Sequence, residues 1–152
     1  MTLLSALLIG IVAGSRAMLA PAAVAWAGWL GWMDLAPTWA AFLGSGWAVL
    51  ILSLLAIGEL VTDQLPTTPS RKVPVQFGTR LVTGGFSGAA LGALAASTPL
   101  GLAAGVVGAV AGIYGGAALR TRLAASLGSD HPAAFTEDAA AIVLSLVAVG
   151  LA

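Results

Sequence analysis

Apolar residues fill five long segments of the chain, and short polar stretches separate them. The segments cover residues 3–30, 39–62, 80–96, 100–119 and 137–152. A run of about 20 apolar residues is long enough to cross the hydrocarbon core of a bilayer as one α-helix. The pattern therefore predicts an all-α, polytopic membrane protein with about five transmembrane helices, within a range of four to six, that forms a single domain.

The first apolar segment allows two interpretations. It is long enough to form one membrane helix with residues to spare. However, the polar tripeptide Gly14-Ser15-Arg16 interrupts it, and Pro21 follows. A short helix to about residue 13, a turn and a second helix to about residue 32 therefore also fit.

Composition supports a membrane location and excludes several classes of function. Apolar residues make up 59% of the chain and charged residues 8%, against roughly 45–50% and about 25% in soluble domains. Six basic and six acidic residues give a formal charge of zero, which excludes a basic groove for nucleic acid. With no cysteine and one histidine, we predict no disulfide, no metal site and no cofactor.

Tryptophan and basic residues orient the predicted spans. Five tryptophans surround the connection between the first two segments, as an aromatic belt at one membrane face requires. They are Trp26, Trp29, Trp32, Trp39 and Trp47. The basic residues Arg71, Lys72, Arg120 and Arg122 share the other side if the spans alternate, and basic loops face the cytoplasm. We therefore expect a multi-pass protein of the bacterial inner membrane, with the N-terminus inside for five spans and outside for the two-helix alternative.

Regularly spaced glycines predict tight helix packing. The fourth segment carries glycines at spacings of four, three, four and three, which leaves one helical face without side chains. They are Gly101, Gly105, Gly108, Gly112 and Gly115, and the third segment has a matching set in Gly84, Gly85, Ser87, Gly88 and Gly92. We expect these two segments to form a closely packed hairpin, whose smooth contacts would also suit sliding helices in a transporter.

Six charged residues lie within or at the ends of apolar segments, where an unpaired charge costs on the order of 3 kcal/mol at mid-bilayer. They are Arg16, Glu59, Asp63, Arg80, Glu137 and Asp138. We expect Arg16 to lie within ion-pair distance of at least one of these carboxylates, with Glu59 favoured because it lies one turn deeper than Asp63. Arg80 is expected to reach the cytoplasmic interface by snorkelling.

The two pairs of carboxylates each have two interpretations. Glu59 and Asp63 are four residues apart and share a helical face. They either pair with arginines or form a site that binds a cation or exchanges protons. Glu137 and Asp138, which follow Thr136, either belong to the cap of the last helix or join the same site.

The sequence also contains a short echo. The tripeptide at residues 14–16 is followed by a similar one, Gly78-Thr79-Arg80, at the head of the third segment. A duplicated architecture would place a site at the interface between the two repeats.

These landmarks resemble a known family. Three pieces carry the resemblance: residues 14–16 followed by Pro21, the run from Gly58 to Pro66, and Glu137-Asp138-Ala139. Over nearly the whole chain they resemble an uncharacterised bacterial integral-membrane family, the domain of unknown function 4126. The most specific piece is the pattern E-x-x-x-D-x-x-P of Glu59, Asp63 and Pro66, although the family usually has a basic residue where Gln64 stands here. The resemblance implies a small multi-spanning membrane protein and no established activity.

The leading functional hypothesis is transport of an ion or small solute by an oligomer of this chain in contact with membrane lipids. Arg16, Glu59, Asp63 and Arg80 would line or gate the path. The alternative is a non-transporting scaffold or lipid-binding protein in which the same charges are structural ion pairs. An intramembrane enzyme acting on lipid is least favoured, because no nucleophile and base stand at motif spacing and no catalytic residue is predicted.

Overall fold

The computed structural model describes residues 1–63 and 72–152, and this part of the chain is helical and contains no strand. The positions predicted at Gln64, Pro66 and Arg71 lie outside the described residues. The described part forms six α-helices and one 3₁₀ turn at Ala41–Gly44. The helices are α1 Thr2–Ser15, α2 Leu19–Trp29, α3 Gly46–Thr62, α4 Pro74–Ala93, α5 Thr98–Leu127 and α6 Asp130–Gly150.

The first apolar segment is a helical hairpin with its tip at residues 16–18. α1 ends at Ser15, and Arg16 has extended backbone with φ −139° and ψ 102°. Pro21 lies in the first turn of α2, where its missing N–H removes no helical hydrogen bond. The prediction of a single helix over residues 3–30 is therefore wrong, and the two-helix alternative describes this segment.

Contacts along the hairpin show that α2 turns back beside α1. The indole N–H of Trp26 donates to the Ser53 hydroxyl of α3, so α2 and α3 are antiparallel neighbours that also meet at the hairpin tip. The connection between them packs Trp39 against Phe86 in the second half of α4. The six helices consequently alternate in direction along the chain.

Glycine contacts hold α1, α4 and α5 together at backbone distance. Gly101 and Gly105 lie against the backbone of α4, whereas Gly108 and Gly112 lie against the backbone of α1. A Cβ atom on any of these four residues would overlap backbone atoms of the neighbouring helix. Gly115 has no heavy atom within 4 Å of its Cβ position, so the close contacts end before it. The glycine face of α5 thus serves two partners, of which the sequence predicted only α4.

The last helix begins earlier than predicted. α5 ends at Leu127, and Gly128 after it has a positive φ of 73°, which suits glycine; α6 starts at Asp130. Thr136 is therefore inside α6, and its hydroxyl donates to the carbonyl of Pro132. The interpretation of Glu137 and Asp138 as part of a helix cap is wrong for this reason.

Two of the described helical stretches, Thr98–Ser126 and His131–Gly150, are long and apolar enough to cross a membrane. α1, α2 and α3 are apolar but shorter. Large apolar side chains are widely exposed, with Trp47 76%, Leu54 62% and Val82 70% accessible. All five tryptophans are exposed as well. The surface of the bundle is therefore apolar over much of its area.

Candidate functional site

The guanidinium of Arg16 lies at the hairpin tip and connects three helices. Its Nε donates to Asp138 Oδ1 of α6 at 2.6 Å, and its Nη1 donates to Asp63 Oδ2 at the end of α3 at 2.6 Å. Its Nη2 also faces Asp138 and lies 3.8 Å from Glu137 Oε2. Arg16 is 0% exposed, so these carboxylates neutralise a completely buried charge.

The other expected partner of Arg16 makes a different contact. Glu59 accepts hydrogen bonds from the backbone N–H of Ala17 at 2.7 Å and of Met18 at 2.8 Å. The first N–H groups of a helix have no acceptor within it and form the positive end of its dipole. Glu59 therefore accepts from the two N–H groups just before α2, close to the positive end of its dipole, and Asp63 takes the place at Arg16 for which Glu59 was favoured.

Arg80 is buried at the same hairpin tip and does not reach an interface by snorkelling. It is 2% exposed, and its Nη1 donates to the carbonyl of Gly14 at 3.1 Å. Its Nη2 lies 3.7 Å from Glu59 Oε1 and 3.8 Å from Asp63 Oδ2. The expectation failed because α4 begins at Pro74, which places Arg80 inside the helix and opposite the end of α1.

The charges at the hairpin tip are opposite in sign to the helix-dipole ends of α1 and α2 that they face. The last carbonyls of α1 lack helical donors, and the Gly14 and Ser15 carbonyls receive bonds from Arg80 and Arg16 respectively. The amides of Ala17 and Met18, just before the first residue of α2, donate to the Glu59 carboxylate. Positive side chains thus face the negative end of α1, and a negative one faces the positive end of α2.

Arg120 of α5 also contacts one of these carboxylates. Its Nη1 lies 3.9 Å from Glu137 Oε2, and Glu137 is buried. The sequence predicted Arg120 only in a basic loop, because the fourth apolar segment ends at residue 119. Arg120 lies instead inside α5, which continues to Leu127.

The structure thus brings the six charged residues singled out in the sequence together with Arg120. We call these seven residues the ionic cluster. Its members are Arg16, Glu59, Asp63, Arg80, Arg120, Glu137 and Asp138. Each of its carboxylates faces an arginine or a backbone N–H group. Within residues 1–63 and 72–152, no group of three or more acidic or histidine residues is arranged to hold a metal ion.

The ion pairs of the ionic cluster can be broken by a competing ion. A proton or a cation would compete with an arginine for a carboxylate, and a small anion would compete with a carboxylate for an arginine. Either event would separate helices that the ion pairs hold together. The echo between residues 14–16 and 78–80 has no matching local structure, because Arg16 lies in a break and Arg80 within a continuous helix.

Comparison with known proteins gives a family and no activity. A family model described as Domain of unknown function (DUF4126) matches residues 3–152. Neither a curated protein nor a solved structure matches the chain. Because the match covers the whole helical bundle with its ionic cluster, the chain belongs to the family of the domain of unknown function DUF4126.

Proposed function

We propose that the chain is a multi-pass protein of the bacterial inner membrane that moves an ion or small solute. The exposed apolar surface supports the membrane location, since only 28% of the apolar window of α5 and 44% of that of α6 are buried in the bundle. A helix that is apolar on all sides needs either a larger core or lipid around it. The described helices supply no larger core that would cover these exposed faces.

The basic end of the bundle supports a cytoplasmic orientation for the ionic cluster. Lys72 lies 5.5 Å from the ring centroid of Tyr114 on α5, and Arg120 and Arg122 follow on the same helix. Basic residues prefer the cytoplasmic side. With helices alternating in direction, the start of α1 and the end of α6 then face the outside, together with the tryptophans.

The observation that carries the transport proposal is the hairpin tip. Helices that break inside a membrane protein place unpaired backbone groups at depth, and transporters use such breaks to bind ions and solutes. Here the break carries Arg16 and is surrounded by carboxylates from α3 and α6. Ionisable residues inside a membrane generally mark ion or proton pathways.

An oligomer suits this proposal because the bundle is small. α1, α4 and α5 pack at backbone distance, so the centre of one subunit has no room for a wide path. α3 exposes most of one apolar face, where a second copy would fit. We therefore propose a path along the ionic cluster that is completed between subunits.

Flux through proteoliposomes tests the transport proposal. We expect flux of at least one ion in a panel of cations, anions and protons, and we expect Glu59→Gln to lower that flux or change its pH response while remaining folded. The amide keeps the shape of the carboxylate but removes the negative charge next to the start of α2. Asp34→Asn is the matched control, because Asp34 is exposed and bonds only the N–H of Ala36 in its own loop.

The alternative of a scaffold or lipid-binding protein has its own support, since the ion pairs of Arg16 tie α1 to α3 and α6. Under this alternative Glu59→Gln lowers the melting temperature in detergent and no ion crosses the membrane at a rate above that of empty vesicles. Absence of flux for the whole panel with the wild-type chain would contradict transport. Flux that is equal in wild type and a folded Glu59→Gln would remove Glu59 from the path.

A further inference from the structure

A narrow apolar cleft starts next to the ionic cluster and runs along α2 toward the tryptophan-rich connection. α2 packs against both α3 and α6, and the cleft between these helices has a volume of about 460 Å³. One of its ends is at Leu19 and Leu60. These residues follow Met18 and Glu59, which are hydrogen-bonded to each other. The other end is at Leu30 and Trp32, beside the tryptophan-rich connection.

The lining of the cleft carries no charged side chain, and both of its hydroxyl groups are hydrogen-bonded within the protein. All lining residues are apolar or tryptophan except Ser53 and Ser145. The Ser53 hydroxyl accepts from the indole of Trp26 at 2.9 Å, and the Ser145 hydroxyl donates to the carbonyl of Ile142 at 2.7 Å. An occupant of the cleft therefore has to be a hydrocarbon along its length, because a polar one would lose hydrogen bonds to water.

The dimensions of the cleft distinguish a hydrocarbon chain from a helix of a second subunit. Leu19 and Leu30 bound the cleft along α2, which at about 1.5 Å per residue makes it about 16 Å long. Even the whole empty space of the cleft, about 1010 Å³, gives over that length a mean cross-section of only about 60 Å². An α-helix with its side chains has a diameter of about 10–12 Å and needs about 80–110 Å². The cleft is too narrow for a whole helix and has room for a flexible hydrocarbon chain.

Its length also corresponds to one leaflet of a bilayer. Half of a hydrocarbon core of about 30 Å is about 15 Å, close to the length of the cleft. Trp32 marks the end of the cleft where an aromatic belt would meet the headgroups. A lipid of that leaflet could place its headgroup near Trp32 and extend one chain toward the ionic cluster.

We propose that this cleft binds one hydrocarbon chain of a membrane lipid, in the leaflet at the tryptophan end. The proposal rests on the membrane location inferred above, and it does not depend on transport. Small residues make the floor of the cleft, with Ala22 and Ala27 buried on α2. Larger ones, such as Trp26, Ile57 and Leu146, form its walls and are exposed toward the surrounding lipid.

Photo-crosslinking tests the site. The delipidated full chain is mixed in detergent with limiting phosphatidylcholine whose acyl chain carries a diazirine, and labelled peptides are mapped after illumination. We expect labels to concentrate on α2, α3 and α6 at the cleft. Ala23→Phe, which fills the cleft, should abolish this preference, whereas Ala103→Phe on the exposed face of α5 should leave it unchanged. Leu146→Trp narrows the cleft from α6 and serves if Ala23→Phe does not fold.

The outcomes are distinct. Labels spread equally over the cleft and the exposed surface of α5 would overturn the proposal, as would cleft labelling that both filling variants leave unchanged. Dominant disulfide cross-links between two chains that carry Ile57→Cys or Leu146→Cys would assign the cleft to a second copy instead. Cleft labelling is measured in detergent without any flux, so a failed flux experiment and a failed lipid site are distinguishable.

Discussion

At the scale of single residues, the geometry of the Arg16 guanidinium explains why it holds the ionic cluster together. Nε and Nη1 point in different directions from one planar group, and they reach carboxylates on two different helices. A lysine has one compact charge on a flexible stem and cannot reproduce this fork. Arg16 is also fully buried, so solvent cannot replace a partner that is lost.

Substitution of Arg16 should therefore destabilise the bundle. Removing one partner of a buried ion pair typically costs about 3–5 kcal/mol, and we expect a loss of this size for Arg16→Ala and a smaller one for Arg16→Lys. Unfolding of the purified chain in detergent, followed by circular dichroism, measures both. Arg122→Ala and Arg122→Lys are the controls, because Arg122 is exposed on α5. Equal melting temperatures for the Arg16 and Arg122 variants would contradict the structural role of Arg16.

At the scale of helices, the glycines of α5 differ in what they contact although their spacing is regular. Gly105 lies against the backbone of α4 at Gly84 and Gly88, whereas Gly115 faces open space. Glycine in a helix interior costs about 0.5–1 kcal/mol relative to alanine. This cost is offset at Gly105 by the close approach of two helices, and no such contact offsets it at Gly115.

The two glycines should consequently respond in opposite ways to alanine. Gly105→Ala places a Cβ into the backbone of α4, and overpacking of this kind costs about 1–3 kcal/mol. Gly115→Ala should leave stability unchanged or raise it by about 0.5–1 kcal/mol. Melting temperatures in one detergent compare the pair directly. A Gly105→Ala chain as stable as Gly115→Ala would show that α4 and α5 do not pack this closely.

At the scale of the whole molecule, alternation of the six helices and the position of the charges set the proposed orientation. The ionic cluster and Lys72 lie near one end, and the exposed tryptophans lie on the connection of α2 and α3 toward the other. Single cysteines test this orientation without interference, because the chain has none of its own. In intact bacterial cells, a membrane-impermeant maleimide should label Thr2→Cys and Ala152→Cys, and it should label Ser129→Cys only after the membrane is opened.

The pattern of labelling separates two parts of the proposal. Labelling of Ser129→Cys alone from outside would reverse the orientation drawn from the basic residues. Labelling of Thr2→Cys and Ala152→Cys from opposite sides would contradict the alternation of six helices across the membrane.

The sequence by itself determined the helical class, the family resemblance and all residues of the ionic cluster except Arg120. These follow from local properties. Apolar runs set where helices form, and an isolated charge in an apolar chain is costly, so Arg16 needs a carboxylate as a partner. Spacing also indicated which helix faces carry no side chains. None of these inferences needs the relative positions of distant segments.

Only the tertiary structure decided which groups meet. It assigned Asp63 and Asp138 to Arg16, gave Glu59 to the two amides just before α2 and buried Arg80 at the end of α1. The reason is that the hairpin turn exposes backbone donors and acceptors, and these compete with side chains for the same partners. A pattern along the chain shows which charges need a partner, but the choice among partners depends on distances between helices.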